Sequence, residues 1–371
     1  MSAHPQIVAI GQFPPPMTGF SHITACVADM LSQRFEVVRY DIAPPKESRA
    51  LSKHLMRMAA TAHACLGLIS AFSAGARTSY VACEGGLGLL YTIAVVSLAR
   101  ILGYRILLHH HSFKYIDVPS LPMRAVLAVG GGLTHIFLCP GMRDRFEAQY
   151  HCATQALILS NAAFVAAQTP TAAPPSNEAV VLGHLSNLTR EKGLYLFLDL
   201  LRAAVEAGLN VRGVLAGPTA STEDAAAIEA ARVALAGKLD YRGPLYGAAK
   251  DQFYRDIDVF VFPTCYANEA QPTVLFEAAA AGNRIVAYDR GCISAQVNTL
   301  GLVVSRDGEF AAAALDWLRR SEVDGDRPAR AAEVERWYAA NRTAALDVAD
   351  QLVSICLAPD DPVAEREGAR Q

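Results

Sequence analysis

At 371 residues, 52% hydrophobic and 19% charged, the chain is long enough for two domains that each bury their own core. A net charge of −3 supplies no basic field, so nucleic acid is not an expected partner. The eight cysteines are scattered without a C-x-x-C pair or zinc-like spacing, which reads as reduced, mostly buried thiols and no metal site.

The polar stretch 1–6 leads directly into an apolar strand and has no secretory pattern, so a cytoplasmic location is expected. Apolar runs of four to six residues then alternate with helical patterns, the pattern of parallel sheets covered by helices. In the first half the strands are expected at Gln6–Ile10, Phe35–Asp41, Ser79–Cys83, Arg105–His109, His135–Leu138 and Gln155–Leu159. The first strand runs into Gly11-Gln12-Phe13-Pro14-Pro15-Pro16-Met17-Thr18-Gly19-Phe20-Ser21 and a helix over Ile23–Leu31. That loop is neither a P-loop nor a G-x-G-x-x-G fingerprint, yet Gly19 would let the backbone approach a diphosphate in front of a helix N-terminus.

Lys46, Arg49, Lys53 and Arg57 recur at spacings of three and four on one helical face, with Leu51, Leu55 and Met58 on another. A basic amphipathic helix over 46–58 suits contact with anionic headgroups, or a solvated surface. The most hydrophobic run, Leu87 to Ala99, is broken by Arg100 and too short to span a bilayer, so it reads as a core helix. His109-His110-His111-Ser112 closes a strand. His109 and His111 share a face, half a zinc site at most, and no acidic or cysteine partner stands at ligand spacing.

The Ala-, Thr- and Pro-rich stretch 162–178 lacks amphipathic period and reads as a linker. It divides the chain into a first domain over 1–161 and a second over 179–335, with a C-terminal helix at 336–357 and a charged tail at 358–371. Strands in the second half are expected at Ala179–Gly183, Val211–Ala216, Leu239–Arg242, Asp258–Phe262, Arg284–Ala287 and Leu302–Ser305. The loops after them carry Ser186-Asn187-Leu188-Thr189-Arg190-Glu191-Lys192-Gly193, then Gly217-Pro218, then Arg242-Gly243-Pro244-Leu245-Tyr246. Carboxyl ends of parallel strands are where open α/β sheets bind ligands.

The most informative segment follows the strand ending at Phe262. Glu269 and Glu277 are separated by seven residues, the first on a loop and the second inside an Ala-rich helix that stops at Gly282. The layout sets helix N-terminal N–H groups beside carboxylates, so one site would take both an anion and neutral hydroxyls. A sugar nucleotide offers both.

These residues resemble the E-x7-E motif of retaining glycosyltransferases of the GT4 family, and the likeness runs over roughly residues 6 to 345. The resemblance implies the GT-B fold, an α/β architecture of two Rossmann-like, doubly wound parallel-sheet domains facing across a cleft. It implies a nucleotide-diphosphate sugar of UDP or GDP type as donor, with no tightly bound cofactor and no obligatory metal. Lys192 matches the family's Lys-Gly lysine, while Asn187 stands where many members carry an arginine, a charge that Arg190 could supply. Gly19, Lys192 and the N–H groups of Thr273 and Val274 would hold the diphosphate, and Glu277 the ribose. Gly217 and Leu245 lie in loops at the nucleotide end, the second of which contacts the base through its backbone. Glu269 and His111 would position the sugar. Leu159-Ser160-Asn161 looks like the family's hinge.

The acceptor implied is a saccharide or a polyprenyl-diphosphate-linked glycan in polysaccharide or glycoconjugate assembly, met at the inner face of a membrane. Three alternatives stay open: a sugar-nucleotide epimerase of the same fold, a nucleotide-binding scaffold without catalysis, and a two-lobed solute-binding protein, which should carry an export signal.

Overall fold

The computed structural model describes residues 5–43, 50–167, 179–297, 299–323 and 327–358. They form two compact units, Met1–Phe164 with Ala345–Gln371, and Val165–Ala344. The expected tail from 359 onward and linker residues 168–178 lie outside the described residues.

The first unit holds β1 (Gln6–Gly11), β2 (Glu36–Asp41), β3 (Thr78–Cys83), β4 (Arg105–His110), β5 (Thr134–Phe137) and β6 (Gln155–Ile158). All pair in parallel, in the order β2-β1-β3-β4-β5-β6. Each expected strand is present to within two residues. β3 is buried at every position, as a strand covered on both faces must be, whereas edge strand β2 keeps half-exposed and exposed positions. Around the sheet run α1 (Gly19–Ser32), α2 (Ala50–Ser73), α3 (Gly88–Leu102), α4 (Lys114–Asp117), α5 (Leu121–Val129) and α6 (Pro140–Tyr150).

Helix α1 begins four residues before the expected Ile23. Thr18 is its N-cap: its hydroxyl accepts from Ser21 N–H, and the Ser21 hydroxyl accepts from Thr18 N–H. A serine completes this reciprocal cap where a Glu or Gln is the usual signature, so the start is easily missed. Helix α2 packs on α3, β1 and β2. Its stretch Ser52–Ser73 is long and apolar enough to cross a membrane by length and composition, with a third of it buried.

The second unit holds β7 (Val180–Leu185), β8 (Val211–Ala216), β9 (Leu239–Tyr241), β10 (Val259–Phe262), β11 (Arg284–Tyr288) and β12 (Gly301–Val304), again all parallel. Their order is β12-β11-β10-β7-β8-β9. Helices α7 (Leu194–Glu206), α8 (Thr222–Ala234), α9 (Gly247–Arg255), α10 (Thr273–Ala280), α11 (Ile293–Val297) and α12 (Phe310–Val323) cover it. Leu194, Phe197 and Leu201 of α7 pack with Leu182, Val259 and Val261 of the central strands in one core. A last helix, α13 (Arg327–Leu357), belongs to the second unit through Ala344 and to the first from Ala345. In the first unit Arg105 Nη1 donates to Ile355 O at 2.7 Å. In the second, Tyr338 OH and Arg342 Nε both donate to Val165 O.

Strand order decides where each site sits. In the second sheet the chain goes from β7 outward through β8 and β9, then returns to place β10 on the other side of β7. The loops after β7 and β10 therefore diverge at a topological switch point, the place where such sheets bind ligands. The corresponding point in the first sheet lies between β1 and β3.

Candidate active site

The loop after β7 carries Lys192 and the loop after β10 carries Glu269. Across the switch point Lys192 Nζ lies 2.7 Å from Glu269 Oε2, and Thr264 Oγ1 donates to the same oxygen at 3.1 Å. The Lys192 ammonium also lies 4.4 Å from the Tyr266 ring centre, a ring whose hydroxyl accepts from Asn268 Nδ2. Cys265 N–H donates to Glu191 O at 2.7 Å, tying the two loops backbone to backbone.

Glycine is required where those loops touch. Gly193 has φ +91, and a Cβ there would lie 2.5 Å from Pro263 O and 2.7 Å from Pro263 C. Only glycine allows both the dihedral and the approach. Farther along, the backbone oxygens of Glu269 and Ala270 rest on Gly291, where a Cβ would come within 2.4 and 2.3 Å of them. Cys292 N–H donates to Ala270 O, and Gln296 Nε2 donates to Pro272 O. The loop that presents Glu269 is thus held from both neighbouring strand ends.

Pro272 caps α10 in extended conformation, and Thr273 and Val274, both half-buried, supply its first two N–H groups. Helix geometry gives those donors no intrahelical acceptor, and α10 carries no acidic residue in its first turn. One turn on, Glu277 accepts from Lys250 Nζ through Oε1 and from Tyr254 OH through Oε2, each at 2.7 Å. Burial, and then the Glu277 charge, push the Tyr254 hydroxyl well above its usual pKa and keep it a donor.

Under β7, His184 is fully buried, with Nδ1 2.8 Å from Val261 O and Nε2 2.9 Å from Ser186 Oγ. A carbonyl only accepts, so Nδ1 carries the proton. Burial lowers this imidazole to a pKa of about 4, which makes it a neutral strut between the two switch-point strands. Gly217 follows β8 with φ +127. A Cβ there would meet Ser186 O at 1.8 Å, and its N–H donates to Gly243 O. Leu245, in the next loop, is half-buried, and α9 starts two residues later. Asn187 is exposed. Arg190 does not turn toward Lys192: it stacks 4.0 Å from the Tyr195 ring centre and lies 3.5 Å from Glu223, with 70% of its side chain exposed.

In the first unit Gly11 ends β1 against Ala82 and Thr24, and the proline loop follows. Ser21 Oγ donates to Pro16 O, which fixes that loop to the cap of α1. Gly19 is exposed, and a Cβ there would meet no atom within 4 Å. Phe20 brings the loop to His111, ring centres 4.8 Å apart and edge-on. His109 and His111 do share a face, with ring centres 3.9 Å apart. His109 also lies 2.8 Å from Tyr80 OH by its Nδ1. On the opposite face His110 meets Tyr115 OH and His135, each at 2.9 Å. The Nε2 atoms of His109 and His111 are buried without a hydrogen-bond partner among the described residues. Burial pulls His111 down to about 3, which keeps the imidazole neutral. Among the described residues no three His, Cys, Asp or Glu side chains form a metal-binding group.

Lys46 and Arg49 of the expected basic face lie outside the described residues. Arg57 departs from that expectation. It turns inward, with Nη2 at 2.6 Å from Glu84 Oε1 and its guanidinium 4.3 Å from the Tyr91 ring centre. Exposed on α2 are the apolar Leu55, Met56, Met58, Leu66 and Ile69, together with His54 and His63.

Sequence reasoning singled out Lys192, Glu269 and Glu277 but not Thr264, Tyr266, His184, Lys250 or Tyr254. The last two sit 27 and 23 residues before Glu277 on another helix, where no local motif points to them.

Residues 179–320 match the family model for glycosyl transferases group 1. No curated protein matches the chain in sequence. Among solved structures, HepE from Anabaena in complex with UDP superposes with a TM-score of 0.68 at 14% identity, over 94% of this chain and 99% of that one. Sucrose-phosphate synthase from Thermosynechococcus elongatus gives 0.69 at 16% identity, over 94% and 98%. WaaG, a glycosyltransferase involved in lipopolysaccharide biosynthesis, gives 0.60 at 12%, over 94% and 99%. At these identities the likeness is one of fold, and the group 1 match covers the sheet that carries Lys192, Glu269 and Glu277. Residues 179–320 thus match glycosyl transferases group 1, and the two parallel sheets share the GT-B fold of these solved structures.

Proposed function

We propose that the chain is a retaining, GT4-type enzyme that moves a sugar from a UDP- or GDP-linked donor to a saccharide or lipid-linked acceptor. The observation that carries this is the convergence of Lys192, Glu269 and the α10 N-terminus at the switch point of the second sheet. HepE, solved with UDP, supports a nucleotide donor.

The slow step is departure of the nucleotide diphosphate as charge grows on its β-phosphate. Lys192 and the N–H groups of Thr273 and Val274 are the donors that meet this charge, and they do so without an obligatory metal. Lys192 must leave Glu269 to reach the phosphate, and the freed carboxylate then takes sugar hydroxyls. The acceptor attacks on the face the diphosphate leaves, and the leaving phosphate takes its proton. Asn187 and the outward Arg190 leave Lys192 as the principal cation of the loop after β7.

A lipid-linked acceptor places the enzyme at the cytoplasmic face of a membrane. The exposed Leu55, Met56, Met58, Leu66 and Ile69 of α2 support contact there by an apolar surface more than by a basic one.

The test is incubation with UDP-glucose, UDP-N-acetylglucosamine and GDP-mannose, with saccharide or polyprenyl-diphosphate acceptors, followed by proton NMR of the product. A new linkage with the donor's anomeric configuration is expected. An inverted linkage refutes retention, and an epimerised sugar formed without acceptor moves the reading to an epimerase.

A further inference from the structure

The two donors on Glu277 both come from α9, the helix that starts directly after the loop Arg242–Tyr246. We propose that Lys250 and Tyr254 are positioning residues for the donor's ribose: they fix the Glu277 carboxylate so that its remaining lone pairs face the ribose hydroxyls. This rests on the nucleotide-sugar reading above.

A carboxylate offers about four lone-pair directions. Lys250 takes one on Oε1 and Tyr254 one on Oε2, so each oxygen keeps one for a vicinal diol. Both bonds are charge-assisted and hold the carboxylate plane before any ligand arrives, which lowers the ordering cost of binding. The Tyr254 end of the clamp is rigid. Its ring is fully buried against Phe253 and Phe260, and its carbonyl, with that of Ile257, is gripped by Asn283 Nδ2 at 3.0 and 2.7 Å.

The Lys250 end is different, because that side chain is 28% exposed and its partner 18%. An ion pair so near solvent adds little to folding, so its removal changes where Glu277 points much more than whether the domain folds. The same helix also links the ribose carboxylate to the loop at the base end, so base and ribose are read by one connected element.

The experiment is calorimetric titration of UDP, GDP and ADP, each beside its 2′-deoxy form, into wild type, Lys250→Met, Lys250→Arg, Tyr254→Phe and Glu277→Gln. For the diphosphate that binds, wild type is expected to favour the ribo form by about tenfold or more, the worth of one hydrogen bond to a charged acceptor. The ratio should collapse toward one in Glu277→Gln, narrow severalfold in Lys250→Met and Tyr254→Phe, and return in Lys250→Arg. A ratio unchanged in Lys250→Met, or ribo and deoxy forms weakened equally, overturns the positioning role and leaves the donor reading intact. Failure of wild type to bind any of the six overturns the donor reading, and the positioning role with it.

Discussion

Gly193→Ala puts the coupling between the two switch-point loops to a quantitative test. The native φ of +91 costs an L-residue about 1–2 kcal/mol. The added Cβ would stand 2.5 Å from Pro263 O, and real Cβ contacts stop near 3.0 Å, so the strand end must retreat by the difference, 3.0 − 2.5, or 0.5 Å at least. Overpacking against backbone adds about 1–3 kcal/mol. The sum, about 2–5 kcal/mol, lowers the melting point of the second unit by roughly 5–15 °C. Pro263 leads directly into Thr264 and Glu269, so the retreat also moves the carboxylate, and sugar transfer should fall by about tenfold to a hundredfold. Scanning calorimetry reads the first effect and donor turnover the second. Gly19→Ala is the control for the fold, since its Cβ would meet nothing and the native φ is ordinary. A Gly193→Ala protein with wild-type melting and turnover would refute the argument that this glycine sets the spacing of the two loops.

Two further outcomes are expected. Glu269→Gln releases Lys192 from its ion pair, so nucleoside diphosphate should bind at least as tightly while sugar transfer falls by about a hundredfold; calorimetry against turnover separates the two, and full turnover would remove Glu269 from the site. His135 and His184 are held by burial at about 4, below the 6.5 of an unfolded histidine. Between those values the unfolded chain binds protons that the folded one refuses, so stability is intact above pH 6.5 and is lost as pH falls toward 4. The loss is about 2 kcal/mol per histidine near pH 5. Urea midpoints measured from neutral pH downward should fall accordingly, and a flat profile would contradict the burial-driven shifts.

Most of the architecture was legible because parallel strands buried on both faces must be apolar runs of four to six residues, and helices between them must show a longer period. Val211–Ala216 is therefore read to the residue, and the other strands to within two. The Lys192-Gly193 and Glu269–Glu277 segments could be picked out because each lies wholly in one loop or one loop and helix. What escaped was pairing across the sheet. Neither Arg57 turning to Glu84 nor Lys250 and Tyr254 turning to Glu277 leaves a local trace, since a charged residue at helical spacing looks the same whether it faces solvent or a buried carboxylate. Arg190 shows the converse: proximity in sequence suggested phosphate, but the aromatic ring of Tyr195 a turn away offers the guanidinium a closer partner.

The account stands most directly on Lys192 as the cation of a donor diphosphate site, and a thermal-shift measurement of wild type and Lys192→Ala with UDP, GDP and ADP, with and without magnesium, tests it. At a hundred times Kd, ligand linkage is worth about 2.7 kcal/mol, a readable shift. The expected result is a rise with one nucleotide, the same without magnesium and lost in Lys192→Ala. No rise with any nucleotide, or an equal rise in Lys192→Ala, would contradict it.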